Sequence, residues 1–196
     1  MGRTPISRQA AIAFAVAAIT LELLASTLYY VAGGSSSGLS VDPSKLLASG
    51  ASGASLIRWG SLIDMFGYLS IAPVVLYLRG RYSAARYVDI FAAAGLGLVI
   101  IGSIGAVSMA TAAPPLINGY LTAGPAERQA LLPAFATLYR AVVLGLWQTL
   151  ETIPAAIWLL GMAWTVRREG SRPLFVILIA IGLVNVAIAG YRLLSF

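Results

Sequence analysis

The chain reads as an all-α bundle of five membrane-spanning helices, with the N-terminus cytoplasmic and the C-terminus outside. Three observations lead there. Of its 196 residues, 59% are hydrophobic and only 10% charged, with mean hydropathy +0.88. A soluble domain carries roughly 45–50% apolar and ~25% charged residues, so this composition cannot clothe a globule in charge. Apolar runs of about 20 residues recur, the length that crosses a hydrocarbon core ~30 Å thick. The arginines gather in short connections, where they set orientation and meet anionic lipid heads.

The runs place spans at about 10–32, 58–79, 89–112, 144–166 and 173–194. The first begins after Arg3 and Arg8, as a signal peptide would, but it continues to Val31 and contains Glu22, so it reads as a retained span. The stretch from Pro133 to Val166 is the difficult one. As a single helix it would reach about 50 Å, yet no turn signal interrupts Leu144–Pro154. It is expected to form one span that continues from an outer helical extension beginning near Pro125. Pro154 is expected to kink it or open it locally. With five spans, Arg3 and Arg8, then Arg79, Arg81 and Arg86, then Arg167, Arg168 and Arg172 all fall on one side, which the positive-inside rule makes cytoplasmic. A sixth span would throw the last cluster outside.

Two outer loops are expected, at 33–57 and 112–132. In the first, Asp42 reads as the N-cap of a short helix, Pro43 as its first residue and Gly50 as its stop. The second holds Pro114-Pro115 and Gly124-Pro125, with a helix start at Pro125. Neither is long enough for a separate domain, so residues 1–196 read as one transmembrane unit without internal repeats.

The totals also bear on chemistry. There is no Cys and no His. Disulfides, CxxC redox chemistry, the usual ligands of zinc and haem, and His-based or Cys-based catalysis are therefore excluded. No catalytic constellation, cofactor site or metal site is expected. The formal net charge of +6 reflects topology and lipid contact, and nucleic-acid binding is not expected.

Ionisable groups at membrane depth cost about 2.5–3.5 kcal/mol each on insertion scales, so each needs a reason. Glu22 lies in span one on a stripe of small and polar residues. Asp64 lies in span two, with Arg58, Ser61 and Tyr68 along one broad side. In span four, Arg140, Gln148 and Glu151 share a face at helical spacing. Span five carries Asn185 and Arg192 at i, i+7. Three acids (Glu22, Asp64, Glu151) against three bases (Arg58, Arg140, Arg192) implies pairing. Three uses remain open: a structural ion-pair network, an outward-opening ligand or ion pocket, and a proton relay. Asp89 is separate, explained by the start of span three. Most Trp and Tyr residues fall near span ends, as an interfacial belt. Trp147 and Trp158 lie closer to Glu151 and could wall a pocket.

Span three is nearly free of polar side chains and rich in glycine and alanine. Gly95, Gly102 and Ala106 mark a close-packing face, set inside the bundle or against a partner.

Several segments carry a resemblance. Ile71-Ala72-Pro73-Val74-Val75-Leu76-Tyr77-Leu78-Arg79 ends span two. Gly145-Leu146-Trp147 and Ile157-Trp158-Leu159-Leu160-Gly161-Met162-Ala163 lie in span four, and Ser171-Arg172-Pro173 opens span five. In these, and in its order of spans and loops, the chain resembles the bacterial membrane proteins grouped as domain of unknown function 4386. The resemblance implies this architecture and transfers no functional residue.

Two functions follow from the residues. The first is a non-enzymatic accessory protein of the plasma membrane that assembles with itself or a larger complex through span three. The second is an outward-facing binding or transport protein with Glu22, Asp64, Arg140, Glu151 and Asn185 around a small ligand. A vitamin-uptake subunit would need six spans. An aspartate-dependent intramembrane protease is disfavoured, because Asp64 and Asp89 lie at opposite ends of their spans.

Overall fold

The computed structural model describes residues 6–33, 42–167 and 171–194, all helical apart from short connections. Arg3 and Arg168 lie outside the described residues. Seven α-helices and one π-helical segment follow in order: α1 (Arg8–Gly33), α2 (Pro43–Leu47), α3 (Gly50–Arg81), α4 (Val88–Thr122), α5 (Pro125–Tyr139), the π segment (Arg140–Leu150), α6 (Thr152–Arg167) and α7 (Arg172–Leu194). Five helical stretches are long and apolar enough to cross a membrane, with Pro125–Arg167 counting as one continuous stretch.

The first loop is shorter than expected. Asp42 caps α2, accepting from the backbone N–H of Ser44 at 2.9 Å and its hydroxyl at 2.7 Å. These hydrogen bonds hold the Asp42 carboxyl below the usual carboxylate range. α2 stops before Gly50, at Leu47 with Ala48 as its C-cap, and Gly50 is instead the first residue of α3, where its φ of +82° turns the chain. That left-handed backbone suits glycine. The tight junction drives Leu46 and Leu47 into the core.

The second loop is mostly helix. α4 runs through Pro114 and Pro115 to Thr122, and only Ala123 and Gly124 separate it from α5. Proline breaks a soluble helix because it lacks a donor and crowds the preceding turn. Membrane helices tolerate it where hydroxyl side chains and neighbouring helices support the backbone. Here Ala113, Pro114 and Ile117 are buried against other elements.

The helices form an antiparallel succession in which α1 packs on α3, α3 on α4, α4 on α6 and α6 on α7. All described arginines of the connections therefore sit at one end: Arg8, Arg79, Arg81, Arg86, Arg167 and Arg172. Arg79 pairs with Asp89 at 2.7 Å across the α3–α4 corner, and Arg167 stacks over Phe175 across the α6–α7 corner. Both partners of the ion pair are more than half exposed, so it adds little stability. Replacing Asp89 with asparagine is expected to leave thermal unfolding in detergent nearly unchanged.

The core is divided. At the arginine-bearing end, Val75, Val88, Ala92, Met162 and Val166 form one cluster. At the opposite end, Leu46, Leu47, Ile57, Met109, Ile117 and Phe135 form another. Glu22, Asp64, Glu151 and Asn185 lie at a depth between the two.

Candidate functional site

Glu22, Asp64, Glu151 and Asn185 come from four different elements, yet each lies roughly 20–26 Å from the arginine-bearing end at ~1.5 Å per residue. They form one layer. Two cavities open within it. The first, about 250 Å³, lies between α1, α3 and the π segment and is lined by Glu22, Asp64, Tyr29, Tyr68, Trp147 and Gln148, among others. The second, about 360 Å³, lies between α1 and α7 and is lined by Glu22, Tyr68, Glu151, Trp158, Ile181 and Asn185, among others. Glu22 and Tyr68 border both cavities.

Glycines of α4 hold the aromatic walls in place. A Cβ on Gly102 would lie 2.2 Å from the Tyr68 ring, one on Gly105 2.4 Å from Trp147 Nε1, and one on Gly95 3.0 Å from Trp158. The Gly102 carbonyl also accepts from Trp147 Nε1–H at 3.2 Å. The close-packing face expected of span three is thus occupied by this chain's own side chains, and Ala106 is wholly buried beside it. Small residues allow such close approach of helices.

Tyr68, 9% exposed, donates its hydroxyl to Glu151 Oε2 at 2.8 Å. Asp64, 5% exposed, interacts with the Glu22 side chain across the α1–α3 interface. The Tyr29 and Ser61 hydroxyls are hydrogen-bonded to each other, and the Tyr29 ring meets Trp147 edge-on at 6.1 Å. Glu151 directly follows the π segment. Its N–H bonds to the Leu146 carbonyl, five residues back, at 2.8 Å. Pro154 cannot donate to the Leu150 carbonyl, and the wide turn ends just before it. Such turns are frequent at functional sites.

The expected pairing of three acids with three arginines is not what the structure shows. Arg58 and Arg140 are exposed, border neither cavity and make no ion pair among the described residues. Arg192 is half-buried near the end of α7, over the Tyr191 ring. Gln148 lines the first cavity, and its buried Oε1 lacks a partner. Asn185 lines the second and donates to the Ile181 carbonyl of its own helix. Trp59 and Trp164 are exposed on the outside of the bundle, as belt residues are.

Sequence reasoning missed Tyr68 as a link between helices and assigned Tyr29 to the belt. The available signal was the spacing Ser61, Asp64, Tyr68, which puts a polar, aromatic stripe on the buried face of α3.

The lining is therefore rich in acceptors and aromatic rings and, among the described residues, has no lysine or arginine. Its acids are spread over two cavities. Among the described residues they form no group able to hold a metal ion. The chain matches no family model, no curated protein and no solved structure.

Replacing Tyr68 with phenylalanine keeps the ring seated on Gly102 and removes the donor to Glu151. Hydrogen bonds to charged groups contribute about 1.5–3 kcal/mol, and neutral ones about 1 kcal/mol. Since Glu151 is half-buried, a loss of about 1–2 kcal/mol is expected in reversible unfolding in detergent. An unchanged stability would show that the bond does not tie α3 to the π segment.

Proposed function

We propose that this chain is a non-enzymatic plasma-membrane protein that binds a small organic cation within its helical bundle. The reading is carried by one observation: three acids meet at one depth, around cavities walled by tyrosine and tryptophan, with no basic side chain among the described residues of the lining. Carboxylates attract a cation, and the faces of Tyr and Trp rings stabilise it further. Cavities of this size suit a small molecule.

The positive-inside rule makes the arginine-bearing end cytoplasmic. The N-terminus is then inside, the C-terminus outside, and the first cavity belongs to the outer half. Assembly through span three loses its main support, because the glycines of that span already seat Tyr68, Trp147 and Trp158. The resemblance to the domain of unknown function 4386 proteins concerns architecture and adds no ligand.

Native mass spectra of protein extracted in a mild detergent test the reading. The expected spectrum is a single chain retaining an amine-containing small molecule. A stoichiometric protein partner, with no small molecule retained, would overturn the binding reading in favour of assembly.

A further inference from the structure

The second cavity differs from the first in where it opens. α1 packs on α3 and α7 packs on α6. α1 and α7 face each other across this cavity, so it is a cleft in the lipid-facing side of the bundle. Its walls are graded. Glu22, Glu151 and Asn185 stand at the acid layer. Towards the arginine-bearing end the lining becomes Ala15, Ile71 and Leu159, over roughly 10 Å at ~1.5 Å per residue.

Two groups bear on what fills the cleft, although Glu22 already interacts with the Asp64 side chain. Glu22 is exposed there, at a depth where hydrocarbon surrounds the bundle, and a carboxyl in that setting requires a polar or charged partner. Trp158 is 7% exposed, and its buried Nε1–H has no acceptor. A buried donor left unpaired costs about 1–3 kcal/mol.

We propose that the ligand is an amphipathic amine that enters sideways from the lipid between α1 and α7. Its ammonium head sits between Glu22 and Glu151. Its chain lies along the apolar part of the cleft towards the arginine-bearing end, past the Trp158 ring. This is the orientation of an amphiphile in the far leaflet, whose head points away from that end. The acids supply the charge complementarity, and no basic side chain among the described residues of the lining competes for them. The inference rests on the cation-binding reading and adds to it the substrate class and the route of entry.

The test uses the full chain in lipid nanodiscs with a photoreactive octylamine carrying a diazirine at its chain end, and peptide mapping of the label. Label is expected on residues 15–19 of α1 and near Ile181 of α7, suppressed at least tenfold by excess 2-(octylamino)ethanol but not by octyl sulfate. Glu22→Gln is expected to weaken labelling at least tenfold. Ile181→Trp alters an exposed position, so it keeps the fold, and it is expected to block the cleft. Label spread evenly over the outer faces of α1 and α7, indifferent to competitor, would overturn the lateral route. If butylamine then still binds wild type, and binds Asp64→Asn more weakly, the cation site stands without the lipid-facing entry. If neither amine binds, both readings fail.

Discussion

Replacing Gly102 with leucine is expected to unfold the bundle rather than to separate it from a partner. The site has no room for any side chain, because a Cβ alone would meet three atoms of the Tyr68 ring at 2.2–2.4 Å. Tyr68 cannot step aside cheaply. It is buried, and its hydroxyl is held by Glu151. Overpacking a well-packed core costs about 1–3 kcal/mol and occasionally more. Here the intrusion also displaces a residue that borders both cavities. A loss above about 3 kcal/mol is expected, read as a lowered melting temperature and early aggregation in detergent. Ala106→Leu, at a fully buried position on the same helix, is expected to follow. Gly190→Leu is the control, since a Cβ there meets nothing within 4 Å. If Gly102→Leu melted like wild type and changed only the oligomeric state, the small residues of α4 would face another chain after all.

Asp64→Asn is the second large effect, and it acts on binding. The substitution preserves shape, so the buried position in α3 stays filled. It removes the ionisable carboxyl and one acceptor oxygen. Affinity for a butylammonium probe is expected to fall at least tenfold, which corresponds to about 1.4 kcal/mol. Stability is expected to change by less than that. Isothermal titration and thermal unfolding on the same preparation separate the two effects. A stability loss of several kcal/mol with unchanged binding would mark Asp64 as part of the packing alone.

Much of the architecture was legible before any coordinates. Run length and hydropathy identify five long apolar helices because a hydrocarbon solvent imposes a minimum length and forbids exposed backbone. The boundaries were less legible. A Pro-Pro pair reads as a loop in water, yet α4 carries Pro114 and Pro115 inside, in a turn that its neighbours bury.

The candidate site was legible as a set of acids and illegible as a set of pairs. Arg58 and Asp64 lie six positions apart on α3, which at 3.6 residues per turn separates them by about 120°. A stripe judged from spacing alone blurs that angle. Arg140 was aligned with Glu151 by the same 3.6-residue period, but the π segment lies between them and widens the turns. The period fails across it. Nothing in composition or spacing announces such a segment except Pro154. The hydroxyl links of Tyr68 and Tyr29 depend on contacts between helices far apart in sequence, which no single-helix pattern contains.

The division of the core into two apolar clusters has a mechanical consequence. Close-packed side chains transmit strain and resist deformation, so each cluster moves as a block. The layer between them holds the Tyr68–Gly102 contact and Trp147, which packs against both clusters, and it is bordered by the two cavities. Room for adjustment is therefore confined to the cavities bordering that layer, which are expected to change volume while the two clusters keep their packing.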